Sequence, residues 1–204
     1  MTVSPMFPLG TVLLPGMLLP LHVFEPRYRQ LVADCRAADG TFGVVLIERG
    51  SEVGGGDVRT DVGTLARIAR AEELPDGRWV LETVGVHRIR VEAWLPDAPY
   101  PRAELVDWPD DPRGAGDLDW DDVTGLLRRT AALRRELGEP AAPLDLELAP
   151  DPVVASYQAA AVAPVGPADR QRLLAAPSPA ARAGLVRAML VDQIELLRAR
   201  LASG

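Results

Sequence analysis

The residues that could do chemistry in this chain are few and scattered. Its soft metal-ligand candidates are His22, Cys35 and His87. A structural zinc site needs four ligands in short paired spacings, and these three stand apart. Cys35 falls in the middle of a helical pattern, outside any catalytic motif, and reads as an inert buried thiol. Ser4, Ser51, Ser156, Ser178 and Ser203 occupy no nucleophile-elbow pattern. The acid pairs Glu72/Glu73, Asp110/Asp111 and Asp121/Asp122 are adjacent in sequence. Neighbours on a strand face opposite ways, so Glu72/Glu73 makes a poor acid–base dyad. The other two pairs read as linker and helix-start charges. Gly54-Gly55-Gly56 lacks the strand–loop–helix setting of a phosphate cradle and reads as a mobile loop. The most restrictive feature is that all 22 basic residues are arginine. Without lysine there is no Walker A lysine, no Ser–Lys dyad and no Schiff base. No catalytic residue, metal or cofactor is expected. What remains is binding chemistry, for which the candidates are Trp79, Arg88, Arg90 and Trp94.

The elements that must position these residues can be read along the chain. From Thr2 to Phe24 there is no formal charge. Length alone would allow a membrane span. But Pro5, Pro8, Pro15 and Pro20, with Gly10 and Gly16, cut the run into short pieces, and each interior proline costs a helix about 3 kcal/mol. No basic residue precedes the run, as a signal peptide would require. It is read instead as two short buried strands joined by the turn Leu14-Pro15-Gly16-Met17. Pro26 suits the first position of a helix that carries Tyr28, Leu31, Val32 and Cys35 on one face. Residues 42–48 read as a buried strand, 49–61 as an exposed loop, and 62–74 as a strand that bends. Pro75-Asp76-Gly77 is a hairpin turn. In the next strand Ile89, Val91, Ala93 and Leu95 alternate with Arg88, Arg90, Glu92 and Trp94. That pattern places Trp94 on an exposed face beside arginine. Residues 100–106 read as a closing edge strand, which tolerates Pro101. Four helices follow, starting near Asp119, Asp151-Pro152, Pro167 and Ser178-Pro179. Val186, Leu190, Ile194, Leu197 and Leu201 form one stripe of the last.

Three motifs occur in order: PLGTVLLPGMLLPLHVFEPRYRQLV, FGVVLIE and VGTLARIARAEELPDGRWVLETVGVHRIRV. Over residues 6–107 they resemble the amino-terminal, substrate-recognition domain of Lon proteases, and the helical tail resembles the segment that follows it. The matching positions are Pro15, Pro20, Glu25, Pro26, Arg27, Tyr28, Gly43, Gly63, Gly85 and Arg88, read chiefly as fold determinants. The resemblance implies an α+β protein. Residues 1–107 would form a PUA-like bent β-pseudobarrel with one helix, 108–117 an acidic Pro/Gly linker, and 118–204 an α-helical bundle. It implies a stand-alone member without the ATPase and protease domains. Its function would be non-catalytic protein or peptide binding, as an adaptor in protein quality control. The partner would be a protein or unfolded polypeptide, bound on the barrel face or in a barrel–helix groove. RNA binding through the PUA-like barrel and a hydrolase with an unrecognised site are the alternatives. The net charge of −7 disfavours nucleic acid. A lone cysteine suits a reducing cytoplasm, and no membrane partner is expected. Oligomeric state is not legible.

Overall fold

A computed structural model describes residues 2–50, 56–111 and 119–203. It divides into two compact units, Met1–Pro109 and Asp110–Gly204.

The first unit holds six strands and one helix: β1 (Thr2–Leu9), β2 (Leu18–Val23), α1 (Pro26–Ala37), β3 (Thr41–Arg49), β4 (Val58–Glu73), β5 (Trp79–Leu95) and β6 (Arg102–Asp107). The strands form one mixed sheet in the order β2-β5-β4-β3-β1-β6, in which β1–β3 is the parallel pair. The first half of β5 pairs with β2, and its second half pairs with β6. The sheet therefore bends back on itself, so that β5 meets both β4 and β6, and among the described residues β2 pairs with β5 alone and keeps an open edge.

Two sequence expectations change here. β2 is not a buried strand, because it pairs with β5 alone and only Leu21 and Val23 of its residues are buried, while β1 pairs with β3 and β6. The turn itself forms, with Gly16 at a φ of 79°. Nor is β6 an edge, since it is flanked by both β1 and β5. The exposed loop expected over 49–61 is shorter, with β4 starting at Val58; residues 51–55 lie outside the described residues.

Helix α1 starts as its residues dictate. Pro26 occupies the first turn, and Tyr28, Leu31, Val32 and Cys35 are its buried face. They join Phe7, Leu13, Phe42, Trp79 and Leu81 in the main core. The Tyr28 ring stacks on Phe7 with centroids 4.2 Å apart. A second core cluster gathers Met6, Val45, Ile89, Val91, Ala103 and Leu105.

The second unit contains α2 (Trp120–Glu136), α3 (Pro152–Val162), α4 (Pro167–Leu174) and α5 (Pro179–Ser203). Asp119 and Asp151 cap α2 and α3 by accepting from the amides of Asp122 and Val154. Gly138 ends α2 with a φ of 72°. Helix α5 packs on α2 and α3 through Val186, Leu190, Ile194 and Leu197. Leu190 is fully buried and Ile194 nearly so. Leu190→Ala and Ile194→Ala are each expected to cost about 2–5 kcal/mol in denaturant unfolding. A change near zero would remove the stripe from the core. Of the linker expected over 108–117, residues 112–117 lie outside the described residues. Asp110 and Asp111 are bound into the helical unit, Asp110 to Arg182 and Asp111 through its amide to the Pro177 carbonyl.

Candidate functional site

The four binding candidates read from β5 do not share one exposed face. Trp79 is a core residue, 7% exposed, with the Arg36 guanidinium 4.7 Å from its ring centre. Arg88 is 2% exposed and stacks on Trp108 at 4.4 Å. Neither is available to a partner. Arg90 is exposed and its Nε donates to Glu92 over 3.0 Å. Trp94 is half-buried, packs against the second core cluster and lies under the Arg59 guanidinium at 4.7 Å. Arg59 is itself held by both carboxylate oxygens of Asp57.

For Trp94 the reason is β5's irregular register, whereas Trp79 precedes the irregularities on the side of Leu81, and Arg88 keeps the face opposite Ile89 but is buried there against Trp108. Leu65 faces His87 while Ala66 faces Gly85, so Val86 is an extra residue. A second irregularity leaves Glu92 unpaired between Val91 and Ala93. Each β-bulge reverses the side to which later residues point. Leu81, Thr83 and Gly85 are buried before the first bulge, and Arg88 becomes buried after it. After the second, Ala93 turns to solvent and Trp94 joins the side of Ile89 and Val91.

The family-motif residues sit where close approach is needed. A side chain at Gly43 would run into the Met6 thioether, one at Gly63 into the Val44 carbonyl, and one at Gly85 into the Leu14 carbonyl. Pro15 lies in the turn before β2, and Pro20 is on the sheet's edge strand, where a missing N–H is tolerated. Glu25 precedes α1 without capping it, and its carboxylate accepts from Arg27 Nε over 3.1 Å. Arg27 in turn lies over the Tyr28 ring at 4.5 Å. Burial pushes the Tyr28 hydroxyl up to about 12. Cys35 is buried, donates to the Thr41 carbonyl and is also pushed up to about 12 by burial, which suppresses thiolate chemistry. His87 contacts the Asp107 carboxylate at 2.9 Å, and His22 points to solvent on β2. Among the described residues no group of three His, Cys, Asp or Glu could hold a metal. None of their helices is long and apolar enough to cross a membrane.

The surface that does emerge runs along β2. A groove of about 190 Å³ is lined by Phe7 and Leu9 of β1, Leu21 and Val23 of β2, and Phe24 and Tyr28 at the start of α1. Leu18 is 75% exposed and Phe24 57% exposed at the two ends of the open strand. The sequence reading puts Leu18 in a buried strand and favours the core over a contact role for Phe24. An uncharged run reads as interior, and the signal that β2 is an edge is only its pairing with β5 alone.

A bent six-stranded mixed sheet with a helix after the second strand, followed by a helical unit, defines an N-terminal recognition-domain architecture. The model of the ATP-dependent protease La (LON) substrate-binding domain matches residues 3–192, and the chain belongs to that family. It is 31% identical to Lon protease 2 of Sorangium cellulosum over 96% of its own length and 25% of that protein's. It is 26% identical to a LON peptidase N-terminal domain and RING finger protein of Schizosaccharomyces pombe, over 61% of this chain and 28% of that one. The chain thus spans between about an eighth and about a quarter of the length of the curated relatives it matches. Among solved structures, a Lon N-terminal domain protein from Xanthomonas campestris superposes with a TM-score of 0.65 at 31% identity, covering 92% of this chain and 98% of that one. The N-terminal domain of the Mycobacterium avium complex Lon protease has the same fold, with a TM-score of 0.61 at 18% identity over 94% and 99% of the two chains.

Proposed function

We propose that this chain is a non-catalytic polypeptide-recognition module that takes an extended, apolar segment along the open edge of β2. The observation that carries the reading is the coincidence of an unpaired strand edge, an apolar groove beside it and two exposed large apolar side chains, Leu18 and Phe24. An edge strand offers main-chain hydrogen bonds to an added strand, and the adjoining groove selects its side chains. Exposed apolar residues next to such an edge are a liability unless a partner covers them. Family membership supports the same reading, because the family is one of substrate binding. The match extends over the substrate-binding domain, and the lysine-dependent chemistries of ATPases and Ser–Lys hydrolases cannot be built from these 204 residues. The role that follows is an adaptor or presenting surface in protein quality control, in a reducing cytoplasm that keeps Cys35 as a thiol. RNA binding is the weaker reading, since Arg88 is buried and Arg90 is paired with Glu92.

The test is fluorescence anisotropy with a labelled, extended apolar peptide. The double substitution Leu18→Asp with Phe24→Asp is expected to weaken binding about 30-fold or more, equivalent to about 2 kcal/mol. Leu144→Asp alters an exposed leucine of the other unit and is expected to leave binding unchanged. Equal affinity for a correctly folded double variant and the unaltered chain would rule out the β2 edge.

A further inference from the structure

We propose that the helical unit carries a second, separate site: a pocket that takes a short apolar body ending in a carboxylate. The pocket has a volume of about 350 Å³ and lies entirely within that unit. Leu127 and Ala131 of α2, Ala142 of the following loop and Ala161 of α3 supply apolar wall, and Arg134 and Arg170 supply charge. No aspartate or glutamate lines it.

The two arginines are not equivalent. Arg134 is satisfied within the fold. Its Nε donates to the Pro140 carbonyl over 3.0 Å, and its guanidinium pairs with Glu139 at 3.3 Å. Glu139 is further engaged by Arg200 at 2.7 Å. Among the described residues Arg170 has no carboxylate partner. The acid beside it in sequence, Asp169, is taken by Arg172 at 2.9 Å. One Arg170 terminal nitrogen donates to the Ala163 carbonyl at the end of α3 over 3.2 Å. Its Nε is buried and has no acceptor.

A structural role as a cap for α3 accounts for only part of this. The end of a helix carries partial negative charge and favours a cation. But a guanidinium has five N–H donors, and the Ala163 carbonyl takes one of them. Burial of this group already lowers its pKa, as expected where desolvation is not offset by a counter-charge. A carboxylate supplies the missing charge and accepts N–H bonds from the guanidinium nitrogens that face the pocket. The surrounding alanine, leucine and proline surface fits an aliphatic body, and the volume suits a fragment-sized group.

Binding is measured by calorimetry on the whole chain with hexanoate and hexanamide, and with the peptide Ala-Ala-Leu-Leu as free acid and as C-terminal amide. At least one acid is expected to bind about tenfold or more tightly than its amide, the discrimination of a charge-assisted bond. Preference for hexanoate identifies a free-acid site, and preference for the peptide acid identifies a chain terminus. Arg170→Gln is expected to abolish the acid preference, with the helical signal in circular dichroism unchanged. Ala142→Glu keeps Arg170, places a carboxylate in the pocket from within, and is also expected to abolish it. Acids and amides binding alike in the unaltered chain would overturn the proposal, as would an acid preference that survives in both variants. Neither result bears on the β2 edge, which lies in the other unit.

Discussion

Replacing Arg182 with methionine is expected to destabilise the helical unit by about 3–5 kcal/mol, the cost of breaking a buried, hydrogen-bonded ion pair by removing one partner. The Arg182 side chain is completely buried. It donates to the Leu173 carbonyl at 2.9 Å, the Ser156 hydroxyl at 2.7 Å, the Tyr157 hydroxyl at 3.1 Å and the Asp110 carboxylate at 2.7 Å. Its guanidinium lies 3.8 Å from the centre of the Tyr157 ring. The Tyr157 hydroxyl donates to the other Asp110 oxygen over 2.7 Å. One residue thus ties α5 to α3, to the end of α4 and to the first residue of the unit. Methionine fills much of the volume but takes from the Asp110 carboxylate, 7% exposed, the buried guanidinium that donates to it. The double substitution Arg182→Met with Asp110→Asn is therefore expected to recover part of the loss, because the neutral amide has less to lose with the guanidinium gone. Urea unfolding followed by the far-ultraviolet helical signal measures both. A single-variant loss below about 1 kcal/mol would contradict the reading of Arg182 as the tie that holds this network together.

Gly85→Ala is expected to cost about 1–3 kcal/mol and to weaken peptide binding with it. The backbone at Gly85 does not have a positive φ, so the obstacle is space rather than conformation. A methyl there would overlap the Leu14 carbonyl oxygen, which is backbone and cannot rotate away. The contact is close because the Leu14–Met17 turn docks on β5. The Gly16 amide donates to the Gly85 carbonyl over 2.8 Å, and the Gly85 amide donates to the Met17 carbonyl over 2.9 Å. Moving that turn displaces Leu18 and the start of β2, one end of the proposed groove. Gly125→Ala is the control, because a side chain at Gly125 meets nothing within 4 Å. Thermal unfolding of the two variants gives the comparison. Equal stability would mean that the turn shifts without cost.

Local signals were sufficient wherever one short segment specifies its own geometry. Pro26 at the start of α1, Asp119 and Asp151 as caps, Gly77 in its hairpin and Gly138 at the end of α2 all act within a few residues. The helical stripe of α5 was legible for the same reason, since a period of 3.6 needs no knowledge of the partner. The absence of lysine excluded whole classes of chemistry without any structure, and the ordered motifs around Glu25–Tyr28, Gly63 and Gly85 pointed to the family.

Strand faces on β5 were legible only as far as its second bulge. Alternation placed Ile89 and Val91 inside, but the extra residue Glu92 reverses it beyond, turning Ala93 out and Trp94 in, and that bulge is set by pairing with β6. Arg88 keeps the face opposite Ile89, and Trp108 covers it there. Edges were equally hidden. Nothing in residues 18–24 or 102–107 says that β2 has one neighbour and β6 two, yet that difference exposes Leu18 and Phe24. Arg170 is one arginine among 22 in the sequence; only the fold of the helical unit leaves its Nε buried without an acceptor in an apolar pocket. Composition, caps and periodicity act over one segment and determined the elements, and the ordered motifs pointed to the family. Register, edges and unmatched charge depend on residues far apart in the chain, and the tertiary structure alone decided them.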